Sequence, residues 1–182
     1  MEKTRTLSRR RFTAGAVAAM ALGGSAALSA GLTTHNDEEN PGGDAMATLT
    51  PYLLFDGDCR QAMEFYQTCF GGELTMMKVK ETAAKDFMSP SQYEKTINAR
   101  LVSGRIEISA SDWLRPDRER VPGNTVCLYL NGTTEEELRL LFGRLAEGGN
   151  VTDPLKEMFF GLYGALNDRF GVRWMFQSND RS

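Results

Sequence analysis

Apolar and polar positions follow one pattern that occurs twice along the chain. An apolar run, a turn with glycine, an amphipathic segment and a Gly-Gly pair span 55–75 and recur at 130–152. From Ala62 to Phe70 the apolar residues recur at i, i+3, i+4, i+7 and i+8, which predicts one buried face of a helix.

The residues at the ends of these helices give further predictions. Asp58 and Thr133 are placed to cap the helix starts. The glycine pairs that begin at Gly71 and Gly148 predict where the two helices end. Asp168 to Gly171 is expected to form a tight hairpin turn between the last two strands.

Three strand-like segments follow each predicted helix, so each half of the repeat has the order βαβββ. One such unit is too small to bury both faces of its own sheet. We therefore predict an α+β fold in which two βαβββ modules, about 47–112 and 124–179, pair into a cup-shaped mixed sheet with helices on the outside. Hollows between modules are common ligand sites.

The first 46 residues have the composition of an export segment. A basic start, including "SRRRF", precedes a weakly apolar stretch and small residues, and this resembles a twin-arginine signal. We expect an export signal at 1–30, a flexible polar linker at 31–46 and the folded domain at 47–182, in the periplasm or outside the cell. If translation starts instead at Met46, the protein is expected to be cytoplasmic.

Charge and composition narrow the classes of partner. The chain carries a net charge of −3, and loss of residues 1–30 would remove five basic residues and one acidic residue and so leave −7. An acidic chain gives no general attraction to nucleic acid. Without a polybasic segment, we also expect no stable membrane anchor after signal removal.

The three cysteines are expected to be small buried residues. Cys59 and Cys69 would lie roughly 15 Å apart on one helix, too far for a disulfide. A reactive thiol is the alternative, and it would need a nearby base or cation. The only histidine, His35, precedes the predicted domain.

Alternation along four predicted strands assigns one face to the core and the other to the cup. Val126 and Ile108 are among the residues expected in the core. The cup face would then carry one candidate catalytic residue, Glu107, and eight candidate ligand-binding residues, which are Asn98, Arg100, Ser109, Ser111, Cys127, Tyr129, Arg173 and Met175.

This mixture suits a small polar organic ligand, with an anionic group held by Arg100 or Arg173. Glu107 has two interpretations. It could pair with an arginine across the sheet for structure, or, without a partner, burial would raise its pKa and make it a candidate acid or base.

Segment 81–95 predicts either a short helix with a turn or a mobile lid.

Three ordered motifs, "PYLLFDGDCRQAMEFYQTCFGGEL", "ISASD" and "FFGLYGALNDRFGVRW", resemble the PhnB-like branch of the vicinal oxygen chelate superfamily. The superfamily includes glyoxalase I and the bleomycin-resistance proteins, and the resemblance covers about 49–177. It implies the duplicated fold and a homodimer. Asn98 stands where a histidine is often found, and Phe160 where a tryptophan is frequent.

Enzymes of this superfamily hold a divalent metal with four His or Glu ligands. The resemblance puts those positions near Pro51, Glu107, Thr125 and Met175. Only Glu107 is a good ligand there, because proline and methionine offer no oxygen or imidazole group and a threonine hydroxyl binds weakly. We therefore predict no metal and no cofactor.

Three functions follow as hypotheses. The first is an exported, metal-free protein that binds a small molecule as a homodimer. The second is a lyase or isomerase that uses Glu107 as acid or base, with or without a divalent metal. The third is a structural module whose cup is filled by its own side chains.

Some members of this branch bear the description of a demethylubiquinone methyltransferase, but no Gly-rich loop follows the first strand to cradle a nucleotide-like cofactor.

Overall fold

The structure, a computed structural model, describes residues 48–178. The predicted export signal at 1–30, the predicted linker at 31–46 and the last four residues lie outside the described part. No helix within 48–178 is long and apolar enough to cross a membrane.

The first module contains four strands and one α-helix, and the second repeats this order. In the first module the elements are β1 (Tyr52–Phe55), α1 (Cys59–Phe70), β2 (Glu73–Lys78), β3 (Thr96–Ser103) and β4 (Ile106–Asp112). In the second they are β5 (Leu128–Asn131), α2 (Glu135–Ala146), β6 (Asn150–Met158), β7 (Gly161–Asn167) and β8 (Arg173–Gln177). The predicted α+β class and the two βαβββ modules are confirmed.

Each module forms its own four-stranded mixed sheet. Sheet A has the order β1-β4-β3-β2 and sheet B the order β5-β8-β7-β6. The first strand of each module runs parallel to the last, and the other neighbours are antiparallel. Within the described residues β1 and β5 are edge strands, and no strand pairing joins the two sheets.

The two modules share one apolar core on their helix sides. Tyr66 of α1 contacts Trp174 of β8 at 5.6 Å between ring centroids. Leu101 of sheet A and Phe142 of α2 belong to the same buried cluster. Since α1 contacts the core side of both sheets, the opposite face of each sheet points away from this core.

A buried carboxylate ties the modules together. Asp168, in the β7–β8 turn, accepts hydrogen bonds from the Tyr66 hydroxyl at 2.7 Å and from the Trp174 indole N–H at 2.8 Å. Its other oxygen accepts the backbone N–H groups of Phe170 and Val172. The predicted tight hairpin at Asp168–Gly171 is therefore present, and its aspartate also bonds the first module.

Two local predictions are wrong. Val126 is 76% exposed and is not a core residue, because β5 begins only at Leu128 and the preceding residues follow no strand alternation. The cap of α2 is Thr134 rather than Thr133, and its hydroxyl accepts the N–H of Glu137.

Segment 79–92 contains three short 3₁₀ turns, Val79–Glu81, Ala83–Asp86 and Pro90–Gln92. These turns occupy the segment for which the sequence predicts either a short helix with a turn or a mobile lid, and no α-helix forms there.

Candidate functional site

The outer face of sheet A carries an ion pair between two candidate residues. Arg100 Nε donates to Glu107 Oε1 at 2.8 Å across β3 and β4. The side chains are 53% and 38% exposed, so water screens the pair. The Arg100 guanidinium lowers the pKa of Glu107, which therefore stays ionised at neutral pH. This is the cross-strand pairing that one of the two sequence interpretations foresaw.

Glu107 uses only one edge of the guanidinium. Within residues 48–178 the two terminal nitrogens of Arg100 make no hydrogen bond, while Nε is fixed by the carboxylate. A guanidinium held in this way can present two parallel N–H groups to a planar or tetrahedral anion. The pair thus fixes Arg100 on the outer face through Nε.

Strand register places the other sheet A candidates around this pair. Ser109 lies opposite both Arg100 of β3 and Tyr52 of β1, and Asn98 lies opposite Met77 of β2. Ser111 shares this face by alternation but is only 5% exposed, so it contributes less open surface than expected. Four candidates and Glu107 are therefore brought together on one face.

Around these polar groups the face is apolar. Tyr52, Leu54 and Met77 are 51%, 41% and 47% exposed. Tyr52 and Leu54 are neighbours on the edge strand β1, whereas Met77 lies on β2 at the opposite edge of the sheet. The face thus combines a fixed cation and neutral polar groups with apolar contact area.

The outer face of sheet B carries a smaller group. Tyr129 and Arg173 lie on it with Met175, the strand partner of Tyr129, and the Tyr129 hydroxyl donates to Gln177 at 2.8 Å. Cys127 precedes β5 and lies on no strand face. Within the described residues no hydrogen bond or ion pair connects this group to the sheet A group.

A second buried carboxylate, that of Asp112, lies on the core side of sheet A. Asp112, 3% exposed at the end of β4, accepts the N–H groups of Gly57 and Cys59 through Oδ1, both at 3.0 Å. Its Oδ2 accepts the N–H of Thr96 at 2.7 Å. This one side chain thus fixes the start of α1 and the start of β3 relative to β4. Asp58, the expected cap of α1, makes no capping bond.

Two of the three cysteines are buried, whereas Cys127 is only half-buried, contrary to the prediction. Cys59 and Cys69 are buried, as predicted, and none of the three forms a disulfide. Burial is the main cause that raises the pKa of Cys59 to about 12 and raises that of Cys69 as well. A thiol held in its neutral form is a poor nucleophile.

Comparison with known proteins gives the family. Residues 47–177 match the family described as 3-demethylubiquinone-9 3-methyltransferase. Protein YjdN of Escherichia coli is 31% identical over an alignment of 139 residues, and the match covers 70% of this chain and 92% of that protein. The chain belongs to this PhnB-like family.

Solved structures agree with this assignment. Protein PA1353 from Pseudomonas aeruginosa is 33% identical with a TM-score of 0.67, over 75% of this chain and all of that one. A putative 3-demethylubiquinone-9 3-methyltransferase, PhnB protein, from Bacillus cereus is 25% identical with a TM-score of 0.59, over 72% and 99%. The fosfomycin resistance protein FosX from Listeria monocytogenes, at 13% identity and a TM-score of 0.50 over 74% and 94%, shares the fold alone.

Within this PhnB-like fold, the positions that would correspond to metal ligands do not suit a divalent cation. Glu107 is bonded to Arg100, and the Pro51 carbonyl accepts the N–H of Ser109 at 3.1 Å. Thr125 and Met175 supply a weak hydroxyl donor and a thioether. Among residues 48–178 no three His, Cys, Asp or Glu side chains lie close enough together to hold a metal. The donor set present here therefore does not fit the metal that the superfamily's enzymes use.

Sequence reasoning missed two features that the structure shows. One is the role of Asp112, although alternation puts it on the same side of β4 as Ile108 and Ala110, which is the core side. The other is a cleft of about 480 Å³ at the end of sheet A, formed by the loop after β4 and the last 3₁₀ turn. That loop holds three arginines, Arg115, Arg118 and Arg120.

Proposed function

We propose that the protein binds a small organic anion on the outer face of sheet A, without a metal. The observation that supports this most is the guanidinium of Arg100, which Glu107 fixes through Nε while its terminal nitrogens remain available. Ser109 and Asn98 add a hydroxyl and an amide, and exposed apolar side chains beside them suit the carbon skeleton of a ligand.

The binding experiment compares two arginines. Thermal shift with acetate, succinate and benzoate at constant ionic strength, followed by calorimetry, should find at least one saturable ligand. Arg100→Gln should abolish the shift. Arg105→Gln, an exposed arginine in the β3–β4 turn, should keep it. Equal binding by Arg100→Gln and the parent protein would refute the site.

Metal content is tested separately. Protein purified without chelators should hold far less than one Zn²⁺, Ni²⁺ or Mn²⁺ per chain by elemental analysis. One tightly held ion per chain would contradict the metal-free proposal.

The methyltransferase description finds no support in the β1–α1 connection, which is the short turn Asp56–Asp58 with a single glycine.

The lyase or isomerase alternative is less well supported. Its proton shuttle would be Glu107, and the lowered pKa of that carboxyl makes it a poor acid at neutral pH. If a turnover is found, Glu107→Gln should abolish it on this alternative while folding is kept.

We further propose a homodimer that completes the binding hollow. Each outer face points away from the shared core, and the edge strands β1 and β5 carry exposed Tyr52, Leu54 and Tyr129. Uncovered edges with apolar side chains invite pairing with another chain. Sedimentation velocity should give a dimer, and Leu54→Lys should shift it to the monomer. A monomeric parent protein at about 50 µM would contradict this.

Export is proposed from the N-terminal sequence, which precedes the described residues. In a bacterium with a twin-arginine translocase, the full chain should reach the periplasm or the medium. Replacement of Arg9 and Arg10 by lysine should retain it in the cytoplasm. Unchanged export of that variant would contradict the proposal, and exclusive cytoplasmic location of the parent chain would favour a start at Met46.

A further inference from the structure

The loop after β4 and the last 3₁₀ turn form a cleft that contains none of the nine candidate residues of the sheet faces. Its volume is about 480 Å³. Four basic side chains line it, together with two acidic ones and several neutral groups. The basic residues are Lys95, Arg115, Arg118 and Arg120, and the acidic residues are Asp56 and Glu119.

The charge of this lining is opposite to that of the chain. The lining carries two more cations than anions, whereas the whole chain has a net charge of −3. Among residues 48–178, Asp56 and Glu119 form no ion pair with these basic side chains, and Arg118 pairs with Asp117, outside the lining, at 3.7 Å. Cations gathered in a concave surface raise the local concentration of anions.

Arg120 carries a buried N–H donor that needs a hydrogen-bond acceptor. Its Nε is buried and has no hydrogen-bond partner within residues 48–178. A buried donor without an acceptor costs about 1–3 kcal/mol. An anion in the cleft would supply that acceptor.

The walls of the cleft are held in place by other bonds. Trp113 Nε1 donates to the Arg118 carbonyl at 2.7 Å, and Gln92 Nε2 donates to the Leu114 carbonyl at 3.0 Å. Lys95 Nζ donates to the Trp113 carbonyl at 3.3 Å. The indole ring of Trp113 therefore stays in the wall, beside the guanidinium groups.

We propose that this cleft binds a phosphate monoester, with the phosphate on Arg115 and Arg120 and the organic group against Trp113. Several guanidinium groups suit a dianion with three oxygens better than a single carboxylate. An aromatic wall adds stacking area for the esterified group. The site is separate from the one proposed above, since Arg100 does not line it.

Calorimetry on the full chain, at constant ionic strength, tests this with three probes. Phenyl phosphate should bind saturably, inorganic phosphate more weakly, and phenol not at all. Arg120→Gln and Arg115→Gln should each weaken phenyl phosphate about tenfold or more. Arg105→Gln removes one positive charge from the β3–β4 turn, outside the cleft, and should leave binding unchanged.

Four results would overturn the proposal. The first three are no saturable binding of phenyl phosphate, equal weakening by Arg105→Gln, and binding of phenol as tight as that of phenyl phosphate. Arg115 is exposed, so Arg115→Gln tests the site even if Arg120→Gln fails to fold. Loss of binding in Arg100→Gln alone would assign the phosphate to sheet A and would also overturn the proposal.

Discussion

The hydrogen bond from Tyr66 to Asp168 connects the two modules, and its removal gives the most direct test of the shared core. Tyr66→Phe deletes one hydroxyl from a side chain that is fully buried. The acceptor is a buried carboxylate at 2.7 Å, which keeps only three other donors. Hydrogen bonds to charged groups contribute about 1.5–3 kcal/mol, so we expect a loss of about 2 kcal/mol.

Tyr129→Phe is the matched control. Its hydroxyl also donates one hydrogen bond, to Gln177 at 2.8 Å, but the residue is 42% exposed and the acceptor is neutral. Water can replace this partner, so we expect a loss below about 0.5 kcal/mol. The two substitutions remove the same atom and differ chiefly in burial and in the charge of the acceptor.

Urea unfolding of the full chain at pH 7, followed by far-UV circular dichroism, gives both values. The expected outcome is a lower midpoint for Tyr66→Phe with an unchanged m-value. A loss below about 0.5 kcal/mol for Tyr66→Phe would refute the reasoning. So would an equal loss for Tyr129→Phe, since burial of the bond between modules would then have no measurable role.

Three further predictions concern stability. Burial raises the pKa of Cys59 from 9.0 to about 12. The contribution of this raised pKa to the free energy of unfolding is therefore complete below pH 9 and falls by about 1.4 kcal/mol per pH unit above it. Cys59→Ala should flatten the decline of the free energy of unfolding from pH 9 to 11, and parallel declines in the two proteins would disprove this. Gly161→Ala should cost about 3 kcal/mol or more in urea unfolding, because its φ is +115° and a Cβ would overlap the Ser178 carbonyl. Gly132→Ala, at φ +73° in open space, should cost only about 1 kcal/mol, and similar losses would show that the overlap is relieved. The two carboxylate oxygens of Asp112 accept three backbone N–H groups, and Asp112→Asn replaces one of these oxygens by an NH₂ donor. This substitution should lower the free energy of unfolding by about 3 kcal/mol. A melting temperature equal to that of the parent protein would count against the structural role of Asp112.

The repeated pattern predicted most of the architecture because it depends on short-range periodicity. The i, i+3, i+4 spacing from Ala62 onward places buried side chains on α1, and alternation in β3 and β4 places Leu101 and Ile108 in the core. These signals need only neighbouring residues and a simple geometric repeat. They also put Arg100 and Glu107 on one outer face, where the structure pairs them.

Long-range polar contacts were beyond this reasoning. Tyr66 and Asp168 are 102 positions apart, and nothing local in either motif indicates that their side chains meet. The packing of the two modules against each other also depends on such long-range contacts. The cleft around Arg120 arises where an irregular loop meets a 3₁₀ turn, and neither has a period.

The position of Trp174 has a consequence for spectroscopy. Its indole lies between aromatic rings of the first module, 5.6 Å from both Tyr66 and Phe70, and is only 1% exposed. The chain's other tryptophan, Trp113, lies in the wall of the cleft. Emission from Trp174 therefore reports whether the two modules are packed together. Quenching of Trp113 fluorescence by iodide reports solvent access to the cleft. Replacing either tryptophan by phenylalanine separates the two signals.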